Sequence, residues 1–504
     1  MTLLSRVAGL ARDLLQATLF GAGPAVSAFV VAYRIPNYLR RVFAEGSFSS
    51  AFVPVLSELR QKGDEAALKD FVDHVAGALL AVVLLVTALG VAFAPWIARL
   101  FLLFAGEDSE QVELTAQMLR ITFPYLAFIS MVALAGSVLN SFKQFGLAAF
   151  TPVLHNVAVI FAMLVLAQYF DVPEFALAWG VLLAGLAQFL VLWPGLGRLG
   201  LRPRLKLNLR HEGVRRVSSL MLPTIFSSSV SQLNLLVGTM VASALAVQAQ
   251  SWLYYTDRLV EFPLGMFGVA IGTVILPHLS RKHADTDRDG YSQALDWGLR
   301  LATLVGVPAA LGLALLAGPL VATLYFHGEF TLLDTRMVSL SVIAMSAGVA
   351  PFMISKVLLP AFFSRQDTRT PMRAAIQTVA LNIVLTVLLV APLWHWGYIG
   401  AHAGIAAATA LAGLANTVLL WRALRKQGLY QPQPGWSRLA LQIAVGCVLM
   451  CLAVLGLRQW VGDWTVLTWP WRLGWLLAAV AAGAAAYAAG LFATGLRPRH
   501  LREA

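Results

Sequence analysis

Apolar runs of about twenty residues follow one another along the whole chain. A helix of about twenty residues rises about 30 Å, which matches the hydrocarbon core of a bilayer, and it satisfies its own backbone hydrogen bonds. Hydrophobic residues make up 59% of the 504 residues and charged residues only 12%, against roughly 25% charged residues in a soluble domain. The sequence therefore predicts an all-α polytopic membrane protein with no soluble domain between its spans.

Fourteen transmembrane helices are predicted from these runs. Loops rich in Lys and Arg, such as 198–216, alternate with loops that are nearly free of them, such as 105–113 and 327–334. Because cytoplasmic loops carry the excess of basic residues, both termini are predicted to be cytoplasmic. The net charge of +12 follows from this bias, so it does not indicate a nucleic-acid partner. The predicted helices lie at 2–22, 24–58, 72–98, 120–142, 148–169, 174–195, 214–243, 246–279, 292–325, 336–363, 371–393, 396–423, 437–459 and 470–494.

The chain carries signs of an internal duplication. The stretch "LAGLAQFLVLW" at 183–193 returns as "LAGLANTVLLW" at 411–421, and two shorter motif pairs occur in the same order in each half. Each repeat holds six helices, an even number, so both repeats enter the membrane in the same direction as two parallel lobes. We predict an N-lobe at 1–210, a C-lobe at 211–430 and two additional helices at 431–504.

Polar residues on the first predicted helix share one face. At 100° per residue, Ser5, Arg6, Gly9, Arg12 and Asp13 fall within an arc of about 120°. An ionised side chain at the bilayer centre costs at least about 2.5 to 3.5 kcal/mol, so ionisable residues there usually face a water-filled cavity. We therefore expect this face to line such a cavity.

The second predicted helix carries four more charged residues. Arg34, Arg41 and Glu45 share a face if the helix continues through Pro36, whereas Arg40 points about 100° away. Proline inside a helix often kinks it, and a kink here would change this phase.

The eighth and tenth predicted helices add charges at membrane depth. Asp257, Arg258 and Glu261 lie within an arc of about 100° just before Pro263, and Lys356 lies on the tenth helix. Counted over all four helices, the membrane-embedded cations exceed the anions, seven to four.

Two interpretations of these charges remain open at this point. Arg41 with Glu45, and Arg258 with Glu261, have the spacing of ion pairs within one helix. Pairing of that kind leaves a cationic surplus, and guanidinium groups bind phosphates through two parallel hydrogen bonds. The surplus favours an anionic substrate that carries phosphate or pyrophosphate.

Several motifs resemble one family of membrane transporters. They are "SRVAGLARD" (5–13), "FGAG" (20–23), "AYRIPNYLRRVFAEGSFSSAFVP" (32–54), "WLYYTDRLVEFPLGMFGVAIGT" (252–273), "SRQDTRTP" (364–371) and "QPQPGW" (431–436). On these motifs the chain resembles the bacterial lipid II flippase family MurJ (MviN), in the multidrug/oligosaccharidyl-lipid/polysaccharide exporter superfamily. The resemblance extends over essentially the whole chain.

This resemblance implies a fourteen-helix inner-membrane protein that moves the undecaprenyl-pyrophosphate-linked peptidoglycan precursor, lipid II, from the cytoplasmic to the periplasmic leaflet. It also implies a hydrophobic groove for the lipid tail, formed by the last two helices. The substrate-binding residues expected from motifs and depth are Ser5, Arg6, Arg12, Asp13, Arg34, Arg40, Arg41 and Arg258. The gate residues are expected at Ala44, Glu45, Gly46, Asp257 and Glu261.

The chain departs from the family in two respects. Some relatives carry an acidic residue where this chain has Ser27. Some bind sodium through carboxylates on the seventh and eleventh helices, but 219–241 and 374–392 contain no Asp or Glu, so we predict no such sodium site.

We expect transport by alternating access, driven by the membrane potential, without a cofactor or metal and without enzymatic activity. The expected partners are lipid II and membrane lipids, with peptidoglycan synthases as candidates, and the expected state is a monomer. Two alternatives stay open. One is a flippase for another polyprenyl-linked oligosaccharide, and the other is a cation-coupled multidrug antiporter of the same superfamily.

Overall fold

A computed structural model describes residues 2–43, 47–103, 109–284 and 287–497. Every regular element in these ranges is helical. The prediction of an all-α protein is therefore confirmed for the described part of the chain.

Contacts divide the chain into two compact units, residues 1–251 and 252–504. The helices that begin in the first unit are α1 (Thr2–Phe20), α2 (Pro24–Phe43), α3 (Ser47–Gln61), α4 (Glu65–Ala92), α5 (Ala94–Phe101), α6 (Ser109–Thr122), α7 (Tyr125–Ser141), α8 (Phe145–Phe161), α9 (Phe175–Arg198), α10 (Glu212–Leu245) and α11 (Ala249–Pro263). The remaining helices are α12 (Val269–Ala284), α13 (Arg288–Leu315), α14 (Ala317–Leu324), α15 (Leu332–Ser346), α16 (Val349–Phe363), α17 (Arg369–His395), α18 (Ala403–Lys426), α19 (Trp436–Val461) and α20 (Trp469–Ala493).

Nine helices in the described ranges are long and apolar enough to cross a membrane, and α15 with α16 forms a tenth candidate bent by 45°. The four predicted spans outside this set are those at 2–22, 24–58, 214–243 and 246–279. Three of these four carry the charged residues singled out on the first, second and eighth predicted helices. A total of fourteen spans stays a prediction.

Several predicted helices are divided in the structure. The predicted helix 246–279 consists of α11, a π-helical turn at Leu264–Gly268 and α12, and the break follows directly after Pro263. The predicted helix 336–363 is divided at Ala347 and Gly348, which separate the end of α15 at Ser346 from the start of α16 at Val349. Proline removes a backbone donor and glycine relaxes the backbone, so each favours a break inside an apolar run.

The first unit is held together by closely packed helices. α9 packs against both α7 and α8, and α6 packs against α2. A Cβ at Gly90 would lie 2.2 Å from the Phe123 ring, and one at Gly185 would lie 2.7 Å from the Tyr125 ring. Glycine at these positions lets an aromatic ring reach the neighbouring backbone, as small residues do at membrane helix interfaces.

The second unit uses the same kind of contact between its last two helices. α19 packs along α20, and a Cβ at Gly490 would lie 2.7 Å from the Cα of Gly446. Cys447 is buried beside Leu304 and Ile443. Cys447 therefore packs as a small core residue.

The seventh predicted helix, α10, contacts α3, α4, α2 and α5 and belongs to the first unit by contacts. The lobe boundary at residue 210 was placed from the repeat in the sequence. The boundary in contacts falls at Ser251 instead. The repeat-based lobes stay a prediction.

A buried carboxylate joins α13 to the connection before α19. The carboxylate of Asp296, 2% exposed, accepts hydrogen bonds from the Tyr430 hydroxyl at 2.8 Å and the Trp436 indole N–H at 2.7 Å. It also accepts from the backbone N–H of Gln433 at 3.1 Å and from Arg300 Nε at 2.5 Å. The donors from Tyr430, Gln433 and Trp436 fix the motif "QPQPGW" and the residue before it against α13, while Arg300 lies on α13 itself.

Replacing this carboxylate is expected to destabilise the protein strongly. The change Asp296→Ala leaves three neutral donors and a guanidinium without their acceptor, and breaking a buried pair in this way costs about 3 to 5 kcal/mol. Thermal unfolding of the purified protein in detergent measures the loss. The matched control Asp289→Ala removes an exposed carboxylate from the first turn of the same helix and should change stability by less than about 0.5 kcal/mol. Equal melting temperatures for the two variants would contradict this assignment.

Candidate functional site

The polar face of α1 meets a single amide on α8. Arg12 donates from Nε and Nη2 to Oδ1 of Asp13, at 3.1 and 2.7 Å, and from Nη1 to Oδ1 of Asn156 at 3.1 Å. Asn156 Nδ2 in turn donates to the backbone carbonyl of Ser5 at 3.1 Å. The structure thus brings together Ser5, Arg12 and Asp13 and adds Asn156, which the sequence analysis had not singled out.

Gly9 lies next to the Asn156 side chain on this face. A Cβ at Gly9 would lie 3.6 Å from Nδ2 of Asn156, in van der Waals contact with the amide. Asp13 and Asn156 are buried, and the Arg12 side chain is 13% exposed. Arg12 is therefore held by one carboxylate and one neutral amide, and its orientation depends on both α1 and α8.

Arg34 donates to two neutral acceptors. Its Nη1 donates to Oγ1 of Thr239 at 2.8 Å and to Oε1 of Gln250 at 2.6 Å. Gln250 Nε2 donates to the carbonyl of Thr239 at 2.5 Å, and both of these residues are 1% exposed. These bonds join α2 to α10 and to the start of α11 without supplying a negative charge.

Ser27 lies in a second neutral contact of α2. Its hydroxyl is 2.6 Å from the Ser251 hydroxyl and accepts from the Ser251 backbone N–H at 3.3 Å, and both residues are buried. At this position, where some relatives carry an acidic residue, the chain has two hydroxyl groups that bond each other.

The other predicted arginines of the first unit are more exposed. α2 continues through Pro36 as one helix to Phe43, which was the condition for Arg34 and Arg41 to share a face. Arg40 is half-buried and donates from Nε to Oδ1 of Asn37 at 3.0 Å, while Arg41 and Arg6 are exposed. The predicted gate segment, Ala44, Glu45 and Gly46, lies outside the described residues, and so does the predicted pairing of Arg41 with Glu45.

In the second unit, Arg258 lies among its own helix neighbours. Its Nη1 is 3.0 Å from Oε2 of Glu261, and its guanidinium lies 4.9 Å from the centre of the Tyr254 ring. The ion pair indicated by the spacing of Arg258 and Glu261 is thus present, with Glu261 exposed and Asp257 half-buried. Lys356 on α16 is exposed.

One group of metal-type ligands occurs in the described ranges, and it lies away from these arginines. Nδ1 of His74 and Nε2 of His211 are each 3.2 Å from Oδ2 of Asp70, and the two imidazole rings stack at 4.2 Å. Lys206 holds the other oxygen of Asp70 at 2.7 Å. A metal ion lies close to the plane of each imidazole ring that ligates it. Two rings stacked in parallel have no plane in common, so they cannot both ligate one ion, and this arrangement is a hydrogen-bonded cluster.

Sequence reasoning missed Asn156, Thr239 and Gln250. The available signal was a polar side chain inside an apolar run, as in "TPVLHNVAVIF" around Asn156. That signal marks a residue for attention but does not identify the arginine it meets, because the partners are 144 to 216 residues apart in sequence.

The fold and these side chains define a multi-pass α-helical membrane protein with arginines on its least apolar helices. A family model described as lipid II flippase MurJ matches residues 16–474. A probable lipid II flippase MurJ of Vibrio cholerae is 42% identical over 100% of this chain and 96% of its own length. A lipid II flippase MurJ of Burkholderia cenocepacia is 42% identical over 92% of this chain and 89% of its own. The chain belongs to the MurJ family of lipid II flippases.

Solved structures agree with this family. A lipid II flippase MurJ in an inward closed conformation superposes with a TM-score of 0.81 at 26% identity, over 97% of this chain and 96% of the other. An inward-facing multidrug resistance transporter of the MATE family, in the MOP superfamily, has a TM-score of 0.69 at 15% identity. The match covers 84% of this chain and 95% of the other chain. The second likeness concerns the fold alone.

Removing the amide that holds Arg34 is expected to destabilise the first unit. The change Gln250→Ala removes a buried acceptor of a guanidinium and a donor to a buried carbonyl, a loss of about 1 to 3 kcal/mol. Thermal unfolding in detergent measures it. The control Gln117→Ala removes an exposed amide that pairs only with Glu113 and should leave the melting temperature nearly unchanged. If the two variants have the same melting temperature, Gln250 does not anchor Arg34.

Proposed function

We propose that this chain is a lipid II flippase that moves its substrate from the cytoplasmic to the periplasmic leaflet of the bacterial inner membrane. The substrate is the undecaprenyl-pyrophosphate-linked disaccharide-peptide. Membership of the MurJ family supports the substrate, and the charges of α1 and α2 support an anionic headgroup.

The observation that carries this proposal is the charge balance of α1 and α2. These two helices carry five arginines and, among the residues that the structure describes, one carboxylate, Asp13. Asp13 bonds Arg12, and Arg34 donates to a hydroxyl and an amide. Five arginines against one carboxylate give the described residues of these two helices a net positive charge, which favours an anionic ligand.

A pyrophosphate is the ligand that such a site suits best. Guanidinium groups present a planar fork of donors that matches two phosphate oxygens, and hydrogen bonds between charged groups are about twice as strong as neutral ones. We assign substrate binding to Ser5, Arg6, Arg12, Asp13, Arg34, Arg40, Arg41 and Arg258. We assign gating to Ala44, Glu45, Gly46, Asp257 and Glu261.

We place fourteen spans in the membrane, with both termini in the cytoplasm. Nine apolar helices and one bent pair account for ten of these spans. The other four are α1, α2 with α3, α10, and α11 with α12, which have lower hydropathy because they carry polar and charged residues for the cavity. Loops rich in Lys and Arg support the orientation.

The transport step we propose is alternating access. The headgroup enters a water-filled chamber lined by the arginines, while the polyprenyl tail stays in lipid or in a groove beside α19 and α20. A conformational change then exposes the headgroup to the periplasm. The repeat-based lobes, 1–210 and 211–430, are the bodies that we expect to move.

Two other functions of the same superfamily remain as alternatives. A multidrug antiporter that exports cations in exchange for protons or sodium requires buried carboxylates, and the arginine excess of α1 and α2 disfavours it. A flippase for a different polyprenyl-linked oligosaccharide would use the same charges. Family membership favours lipid II over that substrate.

We expect transport without enzymatic turnover, cofactor or bound metal. We also expect a monomer, with peptidoglycan synthases as candidate partners. Depleting the protein and measuring which lipid-linked precursor accumulates on the inner leaflet distinguishes lipid II from other polyprenyl-linked substrates.

Removing either of two arginines is expected to impair flipping severely. Each of Arg12→Ala and Arg258→Ala removes a charge-assisted contact worth about 1.5 to 3 kcal/mol, which corresponds to a rate loss of roughly ten- to hundredfold. Growth of cells that depend on the variant, and lipid II translocation in proteoliposomes, measure this loss. Arg438→Ala removes an exposed arginine on α19 and serves as the control with full activity. Full complementation by both site variants would contradict the assignment of Arg12 and Arg258 to substrate binding.

Collapse of the membrane potential is expected to stop translocation. With the interior negative, outward movement of an anion is favoured by about 2.3 kcal/mol per charge per 100 mV, and return of the emptied cationic chamber is favoured in the same field. An ionophore applied to proteoliposomes with an imposed potential tests this coupling. Unchanged flipping after collapse of the potential would rule out this energy source while leaving the substrate assignment intact.

A further inference from the structure

The connection between α9 and α10 has an unusual pattern. Residues 201–210 read "LRPRLKLNLR", in which leucines alternate with basic or polar residues. The stretch is not helical, and three of its leucines are strongly exposed: Leu205 at 55%, Leu207 at 67% and Leu209 at 59%. We call residues 201–210 the strap.

The strap is fixed to α4 through its backbone. The N–H of Arg204 donates to Oδ1 of Asp73 at 2.8 Å, and the N–H of Lys206 donates to the carbonyl of Asp73 at 3.3 Å. Asp73 is only 2% exposed, and a Cβ at Gly77 would lie 2.3 Å from the carbonyl oxygen of Lys206. Two N–H groups spaced by two residues point to the same side, as they do in an extended chain.

The C-terminal half of the strap is fastened to the same helix by a second carboxylate. Lys206 Nζ lies 2.7 Å from Oδ1 of Asp70, and His211 Nε2, just beyond the strap, lies 3.2 Å from its Oδ2. His211 also caps α10, because its Nδ1 accepts from the N–H of Gly213 at 3.1 Å. The position of the leucines relative to α4 is therefore set by Asp70 and Asp73.

This position is at the membrane boundary. Asp73 and Gly77 lie where α4 becomes continuously apolar, and α4 is one of the nine candidate spans in the described ranges. The leucines therefore lie beside the end of a candidate span, and such a row of exposed leucines is unfavourable in water.

The charges around the strap indicate the kind of surface that covers it. Residues 198–216 hold seven basic residues and one acidic residue, Glu212. Leucines together with a dense cluster of Arg and Lys are the combination that binds the interface of anionic membranes. Arg204 and Arg210, which flank the leucines, are exposed.

We propose that the strap lies in the membrane interface, with Leu205, Leu207 and Leu209 among the acyl chains and the neighbouring basic residues on anionic phospholipid headgroups. This interaction surface is separate from the site of the transported lipid and does not depend on the proposed function. It makes the connection between α9 and α10 a part of the protein that responds to the lipid composition of the leaflet.

Adjacent positions with opposite orientation provide the test. In a full-length Cys447→Ala, Cys451→Ala background, the changes Leu207→Cys and Asn208→Cys each introduce one site for an environment-sensitive fluorophore. The proteins are reconstituted into phosphatidylcholine vesicles with or without phosphatidylglycerol, and quenching by nitroxide lipids is measured. We expect strong quenching at position 207 and at least about twofold less at position 208. We also expect phosphatidylglycerol to increase the quenching at position 207.

Each other outcome contradicts the proposal. Equal quenching at the two positions, or none, would show that the leucines do not enter the acyl region. Quenching that does not change with phosphatidylglycerol would exclude anionic headgroups as the partner. The same conclusion would follow if the dependence on phosphatidylglycerol persisted after Arg204→Gln and Arg210→Gln. A label at position 207 that is exposed in vesicles but shielded in native membranes would assign this surface to a protein partner. Thermal unfolding of each labelled protein confirms that it is folded.

Discussion

The desolvation of guanidinium groups is the constraint on which this structure depends. An arginine at membrane depth is costly unless water, a counter-ion or several hydrogen-bond acceptors surround it. Arg12 donates to a carboxylate and an amide, and Arg34 donates to a hydroxyl and an amide. These bonds fix the direction in which each guanidinium points, because its donors form a rigid planar fork.

The same contacts explain why the less apolar helices remain in place. Through Asn156, α1 is bonded to α8, which is one of the apolar spans, and Gln250 and Thr239 bond α2 to α10 and α11. Each low-hydropathy helix thereby gains a polar contact that has no equivalent in lipid. Hydrogen bonds of this kind contribute about 0.6 to 2 kcal/mol each in membranes, so several are needed to hold one helix.

Much of the helical framework follows from the apolar pattern alone, because each span must be long and internally hydrogen-bonded. The predicted helix 371–393 is observed as Arg369–His395, and 214–243 as Glu212–Leu245. The breaks after Pro263 and at Gly348 were missed, since apolar periodicity continues through them. The partners of the arginines were missed for a different reason. Periodicity gives the face of a helix but not the helix that it meets, and Asn156 is 144 residues from Arg12.

Ser27 contacts Ser251 without adding a charge to α2. Its hydroxyl accepts the Ser251 N–H at 3.3 Å and lies 2.6 Å from the Ser251 hydroxyl, which is the bonding that a carboxylate would also accept at this position. A buried carboxylate at this position would require a cation or several donors nearby. With a serine, the contact between α2 and α11 forms without a buried charge. The hydroxyl pair of Ser27 and Ser251 and the bonds from Arg34 to Thr239 and Gln250 thus join α2 to α10 and α11 through hydroxyl and amide groups.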